Sequence, residues 1–177
     1  MNILDDLKLQ YKLGGIAMRV IYWNVACFAI SLVFFYQYSG GGFAYPNWLA
    51  LSSDPNVFLF RPWTFLTYAF FHSSFFHLLF NMMVLNFASN LFLTFFTQKQ
   101  YLGLYILGAI FSGVVFSLSF YFLQMPGIIV GASAAIMAIL VAVTTYQPLM
   151  GVRLLLIGNV KLLPQPKSPL LPPKLQR

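Results

Sequence analysis

Between Arg61 and Lys99 the chain runs for 37 residues without a charged side chain. One straight helix of that length would measure about 55 Å at 1.5 Å per residue, against a bilayer hydrocarbon core of about 30 Å. The stretch must therefore break. His72-Ser73-Ser74 is the place for it, with Ser73 or Ser74 as N-cap of a helix running to about Phe96. Three further uncharged apolar runs, Val20–Tyr38, Tyr101–Leu123 and Ile128–Tyr146, flank this one. The expectation is an all-α membrane protein with four transmembrane helices at about 20–38, 74–96, 101–123 and 128–146. Residues 1–19 precede the first span, and an outer loop, 39–73, places its Trp and Tyr residues partly in the membrane interface.

Composition excludes the alternatives. Charged residues make up 7% of the 177, with 10 Lys+Arg, 3 Asp and no Glu; a soluble domain carries about 25%. Disorder is excluded as well, because it requires low hydrophobicity. The net charge of +7 is a matter of membrane sidedness and does not indicate nucleic acid. Lys8, Lys12, Arg19, Lys99, Arg153, Lys161, Lys167, Lys174 and Arg177 fall on one side of a four-span topology and Arg61 alone on the other. The positive-inside rule then puts both chain ends in the cytoplasm and the 39–73 loop outside. A lone cysteine, Cys27, leaves the redox compartment open. Beyond Gly151 no span is expected, and Pro164, Pro166, Pro169, Pro172 and Pro173 turn residues 164–177 into an extended basic tail.

Polar groups inside a membrane helix are costly, so each asks for a reason. Asn24, Asn86, Asn90 and the scattered serines suit interhelical hydrogen bonds, and Gly103, Gly108, Gly113 and the Ala134/Ala138/Ala142 repeat suit close helix packing. Two groups stand apart. His77 and Asn81 lie at i and i+4 on one helix face near its outer end, with His72 five residues earlier. Such a histidine is often only a satisfied core residue; the amide beside it points instead to a polar cavity. Gly131-Ala132-Ser133 sits near the outer end of the fourth run. Small-residue packing accounts for many such sequences, yet a serine beside glycine at a helix N-terminus also suits an oxyanion. Topology puts His77, Asn81 and Ser133 at similar depth.

Those residues carry a family resemblance. Arg61-Pro-Trp63-Thr64, followed by His72, His77 and Asn81 at their spacing, resembles the W-(R)-x-x-T…H-x-x-x-x-H-x-x-x-N segment of the rhomboid intramembrane serine proteases. Gly131-Ala132-Ser133 resembles their G-x-S nucleophile motif. The resemblance spans about residues 15–160. It implies a serine endopeptidase acting on transmembrane protein substrates within the bilayer, without metal or cofactor. By the same resemblance Ser133 is the nucleophile, and His77 and Asn81 bind the oxyanion together with the Ser133 N–H. His72, Trp63 and Gly131 support the site.

The chain also departs from the family pattern. A serine needs an adjacent base, which rhomboids carry as a histidine on a sixth span. His72 and His77 are the two histidines of this sequence, and both belong to the second-span motif. Thr64, Ala134 and Met137 also stand where the family often has Arg, Gly and Tyr. The expectation is a rhomboid domain truncated after about Leu163, with two classes of function open: an intramembrane endopeptidase, or a catalytically silent membrane protein or fragment that binds client helices. A channel or transporter piece lacks support, since the spans hold no Asp, Glu, Lys or Arg.

Overall fold

The computed structural model describes residues 2–37, 41–147, 151–154 and 158–161. The residues up to Leu140 form one compact unit, and those from Val141 onward a second. The first unit is helical. A short helix α1 (Ile3–Leu13) leads through Gly14 into α2 (Gly15–Phe34). After a two-residue antiparallel pair, β1 (Tyr36–Gln37) with β2 (Gly42–Phe43), come β3 (Leu51–Ser52), the single-turn helices α3 (Pro55–Phe58) and α4 (Thr64–Thr67), and a 3₁₀ turn at Tyr68–Phe70. Two long helices follow, α5 (Phe75–Phe95) and α6 (Gln98–Phe122), then β4 (Ile128–Ile129) and α7 (Ser133–Tyr146). The second unit holds the end of α7 and an antiparallel hairpin of β5 (Gly151–Leu154) and β6 (Gly158–Lys161).

Among the described residues three helices are long and apolar enough to cross a membrane: α2, α5 and α6. The chain is an all-α membrane protein whose few strands are short. The fourth apolar run differs from expectation. Instead of a helix from residue 128, Ile128 and Ile129 pair antiparallel with Ser52 and Leu51, and helix begins only at Ser133. Gly131 makes the corner at φ +129°, a conformation that side chains with a Cβ avoid. The remaining 14 residues give about 21 Å of helix, short of the hydrocarbon core.

The first span is also shifted. α2 begins at Gly15, where φ is +67° and the Gln98 side chain accepts from the Ile16 N–H at 3.0 Å. It ends at Phe34 because Phe35 turns into an aromatic cluster with Tyr45 and Trp48. These contacts tie the segment after residue 41 to the end of α2. The proline-rich tail, residues 164–177, lies outside the described residues.

Buried polar groups stitch the unit. Asn24 on α2 donates to the Val20 carbonyl at 2.8 Å and lies 3.4 Å from the Tyr105 hydroxyl on α6. The hydroxyls of Ser89 on α5 and Tyr101 on α6 meet at 2.8 Å, and Tyr68 donates to the Ala109 carbonyl at 2.9 Å. Asn86 and Asn90, expected to do the same, are exposed on α5. Gly108 packs against Ala138 of α7, but Gly113 makes room for Leu51, Phe65 and Tyr68 of the loop region, and Gly103 has nothing close. The buried stripe at the start of α7 is Ala132, Ala135, Ile136 and Ile139, one step off the alanine repeat.

Candidate active site

The α5 N-terminus places the first two polar side chains. Ser74 is the N-cap, accepting from the His77 N–H at 3.1 Å. Ser73 adds a contact from its Oγ to His77 Nδ1 at 3.0 Å, so the imidazole is held from the loop side. Asn81, one turn on, is buried and donates from Nδ2 to the His77 carbonyl at 2.9 Å. A primary amide has two N–H groups, so one stays available to the space in front of it.

The second strand of the site comes from the α7 start. The Tyr68 carbonyl accepts from the Gly131 N–H at 2.9 Å, which pins the corner before α7. A Cβ on Gly131 would stand 2.8 Å from His77 Cε1 and 2.9 Å from Nε2. Only a glycine lets the backbone come this close to the ring. The first intrahelical bond of α7 runs from the Ile136 N–H to the Ala132 carbonyl at 3.0 Å. The N–H groups of Ser133 and its two successors are thus the unpaired donors of a helix N-terminus, where the dipole favours negative charge.

Ser133, His77 and Asn81 line one cavity of about 270 Å³ with Phe80, Val84, Ile136 and Met137. Its walls are apolar apart from those three. Ser133 is exposed, as are Phe80 and Met137 beside it in the lining, so the cavity opens to the protein's surroundings between apolar side chains. No other imidazole and no carboxylate or amine lines it among the described residues. A larger cleft of about 460 Å³, lined among others by Ser53, Asp54 and Gln124, lies elsewhere and has neither histidine.

A family model, Rhomboid domain, matches residues 60–160, a range that holds every residue of this cavity. The chain belongs to the rhomboid family. No curated protein and no solved structure matches it.

The remaining site residues expected of a rhomboid divide. His72 is fully buried behind His77, the rings 5.1 Å apart and edge to face. Neither of its ring nitrogens has a well-formed hydrogen bond, while its carbonyl accepts from the Tyr45 hydroxyl at 2.7 Å. Burial pushes its pKa down to about 4, the neighbouring His77 adds to the fall, and the Phe70 backbone opposes it. His72 therefore stays neutral at neutral pH and backs the site without entering the cavity. Trp63 is half exposed and donates from Nε1 to the Trp48 carbonyl at 2.9 Å. It ties two parts of the rhomboid's segment between α2 and α5 together and does not line the cavity. Sequence reasoning missed Ser73 as the anchor of the His77 ring, although its i−4 spacing was visible. The Tyr68 carbonyl could not have been found, since a backbone acceptor leaves no mark on the sequence.

Proposed function

We propose that the cavity is the nucleophile and oxyanion half of an intramembrane serine endopeptidase site, with transmembrane proteins as substrates. The observation that carries this is the convergence of Ser133, His77 and Asn81 on one apolar-walled space. Ser133 Oγ would attack the scissile carbonyl, its proton passing to a base that the described lining does not supply. That proton would go on to the amine that leaves when the C–N bond breaks, after which water releases the acyl group. The developing O⁻ would be held by the Ser133 N–H, the free Asn81 amide hydrogen and His77 Nε2. In the tautomer where Ser73 donates to Nδ1, Nε2 carries the proton and is a donor. Such fixed donors in a water-poor site are each worth about 10²–10³ in rate. The opening between Phe80 and Met137 suits a substrate helix arriving from lipid. The charge distribution supports a cytoplasmic N-terminal end and an outward-facing cavity.

A second reading rests on the absence of a base among the described lining residues. An oxyanion site without a proton acceptor retains about 10³–10⁴ of a serine protease's advantage over water, too little for visible turnover of a peptide bond. On this reading the described cavity binds client helices without cutting them. One measurement separates the two. The full chain in membranes is treated with a serine-directed fluorophosphonate. Labelling lost in Ser133→Ala and weakened in His77→Ala supports the endopeptidase reading; an unlabelled wild-type chain that still cross-links to a model transmembrane substrate overturns it in favour of binding.

A further inference from the structure

Two amides on α5 stand where a membrane helix can least support them. Asn24 and Asn81 are buried and donate to carbonyls of their own helices at 2.8 and 2.9 Å. Asn86 and Asn90 are exposed, and their side chains have no hydrogen-bond partner among the described residues. α5 is long and apolar enough to cross a membrane, and Asn86 falls near its midpoint, about 16 Å from its start at 1.5 Å per residue. Lipid at that depth offers an amide neither a donor nor an acceptor. Another protein surface is needed.

The two amides belong to a longer seam. Phe76, Leu79, Met83, Asn86 and Asn90 follow one another at intervals of 3, 4, 3 and 4 residues, and all five are exposed. That is the 3.5-residue spacing with which one helix meets another along its length. The side of α5 that packs into its own unit is a different one, carrying Leu78, Leu85, Ala88 and Phe92. Phe80 and Val84, which line the Ser133 cavity, lie roughly 80–120° around the helix from the centre of the seam, at about 100° per residue. The seam can therefore be covered while the cavity stays open.

Symmetry and the chemistry of the amide say what covers it. Copies of one chain insert with one orientation, because the same Lys/Arg distribution acts on each. A two-fold axis between two copies then runs along the membrane normal, and their α5 helices meet in parallel. Each seam residue faces its own counterpart at its own depth. A primary amide both donates and accepts, so a pair of Asn86 side chains and a pair of Asn90 side chains satisfy themselves. An unlike partner would have to supply a polar group at each of two depths; a second copy supplies both by construction. In coiled coils a seam asparagine fixes register and oligomer state in the same way.

We propose that the α5 seam is a homodimer interface within the membrane, held by symmetric Asn86 and Asn90 amide pairs and packed by Phe76, Leu79 and Met83. The interface leaves the Ser133 cavity of each copy open, so it is independent of what that cavity does.

The test uses the full purified chain on a Cys27→Ser background in phosphatidylcholine vesicles. Photobleaching steps of a dye on an added N-terminal tag, counted at falling protein-to-lipid ratio, should report a dimer in equilibrium with monomer. Asn86→Leu is expected to weaken that dimer about threefold to thirtyfold, the range for one interhelical hydrogen-bonded pair, and Asn90→Leu to weaken it further. Asn86→Gln, which keeps an amide, should retain most of the dimer. Oxidative cross-linking should be strong from a single cysteine at Met83 and weak from one at Phe111, exposed on α6. A chain that stays monomeric at every ratio, a dimer that both leucine substitutions leave unchanged, or cross-linking from position 111 alone overturns the proposal. So does a photo-cross-linker at position 83 that joins only to an added transmembrane peptide, which would make the seam a client-helix site.

Discussion

Two residues at the cavity can be tested singly. Gly131→Ala forces a methyl group into the His77 ring at a φ that alanine rarely adopts, a strain of about 1–3 kcal/mol. Relief moves either the ring or the corner before Ser133. We expect fluorophosphonate labelling of Ser133 to fall about fivefold to a hundredfold, since about 1.4 kcal/mol is a factor of ten, while the helix content by circular dichroism is kept. His72 is testable by pH. Its folded pKa of about 4 lies below its ordinary 6.5, so the unfolded chain binds the extra proton between those values. Stability from this group is complete above about pH 6.5 and declines as pH falls toward 4. Thermal unfolding in detergent should show that decline in the wild type and a flatter profile in His72→Phe. An equal pH dependence in both would mean that another group is responsible.

Among elements, the start of α7 matters most, because it decides where Ser133 stands. α7 is located by three contacts: Gly131 to the Tyr68 carbonyl, β4 to β3, and Ala138 against Gly108. The last is the easiest to break. A Cβ on Gly108 would come within 2.6 Å of the Ala138 Cβ, and neither methyl has a rotamer to escape into. Gly108→Ala should cost about 1–3 kcal/mol by overpacking and push α7 off α6. The measurable result is a lower unfolding temperature together with weaker Ser133 labelling; Gly103→Ala, which meets nothing within 4 Å, is the control expected to change neither. The Ser74 cap of α5 was legible in advance, since Ser-Ser between an aromatic stretch and a long apolar run is a helix-start pattern. The start of α7 was not, because the apolar run from Ile128 reads the same as strand or helix until the partner strand Leu51–Ser52 is known.

At the scale of the whole molecule, the length and apolarity of α6 lead us to expect that it crosses the bilayer with its two ends on opposite sides. Single cysteines at Lys99 and at Gln124, on a Cys27→Ser background, should react with a membrane-impermeant thiol reagent from opposite sides of sealed vesicles. Reaction of both from one side would contradict the span. The spans α5 and α6 were readable because lipid imposes one rule over some twenty residues: no charge, and every backbone group bonded within the helix. The short α7 obeys that rule only in part, and the sequence there overstates the helix.

The sequence by itself determined that this chain enters a membrane, roughly where, and which family it resembles, because apolar run length and the spacing of His72, His77, Asn81 and Ser133 are properties of the linear chain. It also led to the expectation that His77, Asn81 and Ser133 share a cavity, and the three line one in the structure. The tertiary structure alone decided the close approach of Gly131 to the His77 ring, the burial of His72, the outward placement of Asn86 and Asn90 and the removal of Trp63 from the cavity. These depend on which of several similar apolar faces meet, and on backbone carbonyls such as that of Tyr68. Faces of nearly uniform hydrophobicity carry little directional signal, so only packing distinguishes them.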